Sequence, residues 1–354
     1  MQDEYGDLDA GGETYYFDGE FKLEFGKSLF RPQVRYRTWG DPKNPTLVVA
    51  HALTGNAGID TWWGEIMGEG KALDSSENFI ICMNILGSCY GSTGPMSRCE
   101  KTGEVYGDDF PLVSVRDTVR LHMHLLHDHL GIRRVSTVIG GSLGGMQALE
   151  WLLCAPEQKL VTVDSAVVIA CGAEHNAWQI GISETQRQAL RLHKEDGLRI
   201  ARQIAMIAYR SPVAYRNKFG RERTTDGRFQ VASYLEYQGR KFLSRFDPTS
   251  YYAITEQMDT HDVGRGRGGI EAALSSLSQR ILIMGISSDV LYPLEEQQEL
   301  ARLIPNAGFF EIVTDEGHDG FLLEYDQVGS AISTFIGSLS HRQKQVAEPF
   351  ISKL

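Results

Sequence analysis

Apolar residues along this chain gather into two kinds of segment. The first kind is short, near-continuous and rich in β-branched residues: 46–50 (TLVVA), 79–83 (FIICM), 135–139 (VSTVI), 160–168 (LVTVDSAVV) and 281–286 (ILIMGI). Runs of that length with no polar alternation suit strands buried on both faces, as in a parallel sheet covered by helices. The second kind is longer and has helical spacing. Residues 113–130 predict one helix stopped at Gly131, and residues 143–155 predict another ended by Pro156. Strand and helix alternate, which predicts an α/β class with a mostly parallel, doubly wound sheet. The alternation lapses between Cys171 and Ser278, where the stretches beginning SETQRQALRL and ASYLEYQGRK look helical and carry many of the bases. The expected organisation is therefore a core of 1–170 and 279–354, with 171–278 as a helical lid insertion over the active-site edge.

Composition narrows the function classes. The 354 residues suit one large domain or a core with an insertion, and 42% apolar with 23% charged residues is ordinary globular usage. A formal charge of −11 argues against non-specific nucleic-acid binding, which needs a basic surface. No stretch approaches the roughly 18 apolar residues of a membrane-spanning helix. The opening MQDEYGDLDAGGE is acidic, lacks the apolar core of a signal peptide, and is expected to be a frayed tail. Five cysteines (Cys82, Cys89, Cys99, Cys154, Cys171) form no C-x-x-C pair, which predicts reduced thiols in a non-secreted protein.

The chemistry enters at Gly140-Gly141-Ser142-Leu143-Gly144, a G-x-S-x-G motif with a strand before it and a helix after it. Such a turn is so tight that side chains two residues either side of the serine would collide. It presents the Ser142 hydroxyl at the carboxyl edge of the sheet, at the positive end of the following helix. A serine hydroxyl needs a base and an acid that orients the base. In sheets with this elbow the chain order is Ser, acid, His. Asp289 follows the strand ILIMGI, and His318 follows the apolar run FFEIVT, so both reach the same edge in that order. The competing histidines fit less well. At about 100° per residue, His122 and His129 share one helix face while His124 and His127 lie opposite, so that helix alone cannot turn all four toward a metal. His261 sits inside the insertion with no strand to position it. A tetrahedral oxyanion would need two converging donors, and the backbone N–H of Leu143 supplies one. The loop His51-Ala52-Leu53-Thr54-Gly55 after TLVVA offers the second, at Leu53.

These and further runs resemble one family, the homoserine O-acetyltransferases, a branch of the α/β-hydrolase superfamily. The carriers are HALTG at His51, WW at Trp62, NILGSCYGSTGP at Asn84, GGSLGGMQALEW at Gly140, ETQRQA at Glu184, AYRS at Ala208, SSDVLYP at Ser287 and GHDGFL at Gly317. The resemblance implies an α/β-hydrolase fold with a lid, the triad Ser142, Asp289 and His318, and acceptor binding by Arg210 and Asp319. An α-amino acid presents a carboxylate for an arginine fork and an ammonium for a carboxylate, so that last pair is chemically coherent. The resemblance further implies acetyl-CoA as donor, no metal, no permanently bound cofactor, a ping-pong acyl-serine route and a homodimer built through the insertion. The acceptor stays open, and because succinyl transfer also occurs in this group, so does the choice between an acetyl and a succinyl donor. One methylene is worth only about 1–3 kcal/mol, so serine remains beside homoserine. Fungal relatives that acetylate secondary-metabolite hydroxyls share runs like THDVGRGRGG, and an esterase would use the same triad with water. The final Ser352-Lys353-Leu354 reads as an address for the peroxisomal import receptor in a eukaryotic source, exposed beyond a helix that ends at or before Glu348; a bacterial source would make the protein cytoplasmic.

Overall fold

The near-continuous apolar runs face two cores at once. The computed structural model describes residues 2–3, 6–7 and 12–342; the proposed tail address at Ser352 to Leu354 lies outside the described residues, as does most of the acidic opening. The central sheet has eight strands. They are β1 (Glu13–Tyr16), β2 (Gln33–Trp39), β3 (Thr46–Ala50), β4 (Phe79–Met83), β5 (Thr137–Gly141), β6 (Ser165–Ile169), β7 (Arg280–Ile286) and β8 (Ala307–Ile312). Their spatial order is β1-β2-β4-β3-β5-β6-β7-β8. The β1–β2 and β2–β4 pairs are antiparallel, and the other neighbours are parallel.

Every residue of β3, β4, β5 and β6 is buried. Successive side chains point to opposite faces of a strand, so Val48, Ile81, Val138 and Ala166 enter one apolar cluster. Their neighbours Leu47, Val49, Ile80, Ile139 and Val167 enter the other. On the first face pack α1 (Val115–His124) and α2 (Leu143–Gln158), through residues such as Val119 and Leu149. On the second face packs a C-terminal helix, Tyr325–Arg342, through Val328 and Ile332.

Four boundaries differ from expectation, the first being the run 135–139, whose Val135 pairs in a separate two-stranded sheet while Thr137–Gly141 joins the central one. The helix over 113–130 starts only after Ser114, whose hydroxyl accepts from Asp117 N–H while the Asp117 carboxylate caps the Ser114 N–H in return. It then widens into a π-turn at Leu125–His129, closed by Leu130 N–H donating to Leu125 C=O, and it does end at Gly131, whose φ is +69°. Pro156 does not stop α2. It sits in the last turn, where it removes a single donor, and the helix runs on to Gln158. The run 160–168 is two strands, because the chain changes sheets at Asp164: Thr162–Val163 pairs with Arg134–Val135, and only Ser165–Ile169 joins the central sheet.

Between β6 and β7 the chain forms α3 (Ala177–Leu192), α4 (Lys194–Tyr209), α5 (Pro212–Phe219), α6 (Gln230–Leu243) and α7 (Pro248–Asp259), then a short helix Ile270–Ser275. Their starts are written in the sequence. Asn176 accepts from Trp178 N–H ahead of α3. Ser211 and Asp247 cap α5 and α7, each followed by proline at the first helical position. The sheet edge after β3, β5, β7 and β8 and the junction of α4 with α5 are what position the site.

Candidate active site

Ser142 stands at the turn between β5 and α2 with φ +58° and ψ −124°, a conformation that costs a non-glycine residue energy and persists only where surroundings enforce it. Here the surroundings are two close backbone approaches. A Cβ on Gly140 would lie 2.2 Å from the Gly144 carbonyl oxygen, and one on Gly144 would lie 2.1 Å from the Ala50 carbonyl oxygen. The Ser142 N–H donates to Ile169 C=O at 2.9 Å, which ties the elbow to β6.

Asp289 and His318 lie 29 residues apart in sequence and meet in a buried hydrogen bond, Nδ1 to Oδ2 at 2.7 Å. The other Asp289 oxygen accepts from the N–H groups of Leu291 and Tyr292 at 2.8 and 2.9 Å, so the carboxylate is fixed before it meets the ring. Burial presses the imidazole toward neutrality. The charge and hydrogen bond of Asp289 outweigh it, with Asp319 adding to them, and hold His318 above its usual pKa. His318 Nε2 is buried without a hydrogen-bond partner among the described residues. Tyr209, Tyr292 and Phe321 pack around the ring at 5.4–5.7 Å. None of these three aromatics was singled out from sequence, although Tyr292 lies in SSDVLYP and Phe321 in GHDGFL. Trp63 Nε1–H donates to Phe321 C=O at 3.0 Å, which gives the second tryptophan of the WW pair a reason to be there.

The loop carrying Leu53 is anchored to the elbow. Gln147 on α2 donates to His51 C=O at 3.2 Å and to Leu143 C=O at 3.3 Å. Asn84 accepts from Ala57 N–H at 2.8 Å and donates to Tyr90 C=O at 2.6 Å, and Arg245 from the insertion reaches Thr54 C=O at 3.1 Å. The run from Asn84 is thus a brace for this loop. Leu53 and Leu143 are both buried, and neither N–H donates to another group among the described residues.

Arg210 and Asp319 come together, but not as two empty receptors. Arg210, the last residue of the α4 cap, places Nε 2.9 Å from Asp319 Oδ2 as an ion pair without hydrogen-bond alignment. Its Nη1 pairs with Glu316, which sequence reasoning passed over. Burial raises the Asp319 carboxyl above the usual carboxylate range, against the pull of Arg210, His318 and Arg202. The contact between α4 and the His318 loop is backbone-close. Gly317 has φ +72°, and a Cβ there would lie 2.7 Å from the Ser211 nitrogen.

The competing histidines have other partners. Burial depresses His122 to about 3, and its Nε2 faces Asn84 C=O at 3.2 Å. His124 and His127 both pair with Asp128, while His129 Nε2 meets the Tyr36 hydroxyl at 3.1 Å. His261 is pressed down to about 4 by burial and faces Gly172 C=O at 3.0 Å.

The family model for the alpha/beta hydrolase fold matches residues 45–325. A homoserine O-acetyltransferase of Chlorobium luteolum is 44% identical over 344 residues, covering 93% of this chain and 95% of that protein. One of Trichormus variabilis is 44% identical over 345 residues, covering 93% and 94%. Among solved structures, homoserine O-acetyltransferase from Staphylococcus aureus superposes with a TM-score of 0.78 at 31% identity, covering 92% of this chain and 94% of that one. An acetylester hydrolase from Corynebacterium glutamicum superposes with a TM-score of 0.80 at 24% identity, covering 92% and 96%, and at that identity shares the fold alone. Among the described residues no helix is long and apolar enough to cross a membrane.

Proposed function

The chain belongs to the homoserine O-acetyltransferase family of α/β-hydrolase acyltransferases, and from that membership we propose that it moves an acetyl group from acetyl-CoA to the γ-hydroxyl of homoserine through an acetyl-serine intermediate. The observation that carries the choice of acceptor is the 44% identity to named homoserine O-acetyltransferases across 93% of the chain. The fold cannot carry it, because esterases share it.

In this proposal His318 Nε2 takes the proton of Ser142 Oγ as that oxygen attacks the thioester carbonyl. The oxyanion would sit between the N–H groups of Leu53 and Leu143, at the positive end of α2. Collapse breaks the C–S bond, and the CoA sulfur leaves with the proton that His318 returns. Homoserine then enters, with its carboxylate on Arg210 and its ammonium on Asp319. His318 takes the proton from the γ-hydroxyl, which attacks the acetyl-serine carbonyl, and Ser142 recovers its proton as the ester departs. Asp289 holds the imidazole with Nδ1 protonated and Nε2 free to accept, and it stabilises the imidazolium formed in both halves.

The test is release of CoA thiol from acetyl-CoA, with homoserine, with serine and with neither. Sustained release that requires homoserine supports the proposal. Equal release without an amino acid makes the protein an acetyl-CoA hydrolase, and a preference for serine moves the acceptor. Mass spectrometry of protein mixed with acetyl-CoA alone is expected to show an acetyl adduct at Ser142 that Ser142→Ala lacks; an adduct persisting in that variant removes Ser142 from its role.

A further inference from the structure

The Arg210 ion-pair cluster holds one cation against two carboxylates. Asp319 and Glu316 both engage the Arg210 guanidinium, and they differ in how they are held. The Asp319 side chain is 18% exposed and adjoins His318. The Glu316 side chain is 42% exposed, and Arg210 is its side-chain partner among the described residues. Both Arg210 and Glu316 line an open cleft of about 430 Å³, together with Tyr215, Lys218, Tyr234 and Glu324. Glu316 thus takes one arm, Nη1, of the fork that an incoming carboxylate would need, and its 42% exposure puts it on the water side of that fork.

We infer that Glu316 is an internal stand-in for the acceptor carboxylate: it holds the Arg210 fork in place in the empty enzyme and is displaced into the cleft when the acceptor binds. This rests on the reading that Arg210 takes the acceptor carboxylate. The exchange replaces one carboxylate–guanidinium pair by another, so Arg210 stays paired throughout and never becomes a bare buried charge. Glu316 is the member that moves, because a rim carboxylate regains its hydration at small cost, whereas Asp319 would carry its charge out from beside His318. Apparent acceptor affinity is then reduced by the fraction of enzyme in which Glu316 holds the fork, which makes this residue a determinant of KM and not of chemistry. It also selects for ligands able to outcompete a carboxylate, so neutral alcohols gain nothing from entering.

The experiment compares Glu316→Gln with the parent chain. Homoserine binding is measured by calorimetry in the Ser142→Ala background, so the result does not depend on turnover. Tighter binding by about fivefold is expected, the scale of a half-exposed ion pair. A matching fall in the KM for homoserine at unchanged kcat, and unchanged acetylation of Ser142 by acetyl-CoA, are expected in the active enzyme. Glu324→Gln is the control: it removes the same charge from the same cleft, but its partners are Thr314 (Oγ1 to Oε1, 2.6 Å) and Gln327 (Nε2 to Oε2, 3.3 Å) rather than Arg210. Binding that is equal or weaker in Glu316→Gln overturns the inference, and weaker binding would make Glu316 a partner of the ammonium instead. An equal gain in Glu324→Gln also overturns it, by reducing the effect to net charge. Absence of homoserine binding in both backgrounds overturns it as well. A parent enzyme that binds homoserine but fails to acetylate it refutes the proposed function and still leaves the binding comparison to judge Glu316.

Discussion

Replacing Asp289 by asparagine preserves the shape of the site and changes the position of one proton. The amide oxygen would keep the N–H groups of Leu291 and Tyr292, now at 2.8 and 2.9 Å from the carboxylate. That leaves the amide NH2 facing His318 Nδ1 across the present 2.7 Å contact. Two donors cannot share the contact, so the imidazole is forced to carry its proton on Nε2 and accept on Nδ1. Nε2 is the buried nitrogen with no partner among the described residues, and once protonated it cannot take the serine proton that the proposed mechanism assigns to it. Loss of the correct tautomer costs about 10⁴-fold in kcat where the same substitution has been made in a serine protease, or about 5.5 kcal/mol of transition-state stabilisation.

The pH profile separates this from a folding defect. In the parent, Asp289 holds His318 above the usual imidazole value of about 6.5, so the rising limb of activity, which needs neutral imidazole, lies above that pH. Without the carboxylate charge, burial remains and the limb of the residual activity moves to lower pH. Stability moves with the same proton. A pKa raised on folding contributes stability that is fully present below about pH 6.5 and is lost as pH climbs through the folded value. The Tm advantage of the parent over Asp289→Asn is therefore expected to be largest in mild acid and to shrink toward alkaline pH. The measurements are thiol release with acetyl-CoA and homoserine, and thermal melts, both across pH. Activity above a tenth of the parent, or a rising limb at or above the parent's, would refute the tautomer argument.

Two further perturbations test the elbow and the fork proposed for the acceptor. Gly144→Ala brings a methyl to 2.1 Å from Ala50 C=O, a contact no rotamer change relieves; a loss of at least about 1–3 kcal/mol of stability and of acetylation is expected, read by chemical denaturation and adduct formation. Arg210→Ala is expected to leave acetylation of Ser142 near its parental rate while raising the KM for homoserine by roughly 10- to 150-fold, the scale of a lost charge-assisted hydrogen bond of about 1.5–3 kcal/mol. Single-turnover kinetics separate the two halves, and equal losses in both would give Arg210 a structural role instead.

What the sequence let one foresee follows from how local each determinant is. TLVVA and FIICM read as doubly buried strands because the two-residue period sends neighbours such as Val48 and Val49 into different cores, and both cores demand apolar side chains. The elbow is legible through its own spacing, since a Cβ on Gly140 would meet the Gly144 carbonyl four residues on, although the constraint on Gly144 itself comes from Ala50 on a neighbouring strand. Boundaries fail where a neighbour in space decides. Asp164 ends one short strand and precedes the next because Arg134–Val135 offers a separate partner for Thr162–Val163, which no periodicity inside 160–168 reveals. The site divides along the same line. Asp289 and His318 could be nominated because strand ends deliver residues to a common edge in a known order. Glu316 had no such rule. Its partner is 106 residues earlier, at the end of a helix, and the two meet only because Gly317 lets the loop touch the backbone of Ser211. A residue whose role is set by one backbone approach carries no pattern of its own. The glycine that permits the approach was the legible part, and it stood inside the GHDGFL run for a reason distinct from the histidine beside it.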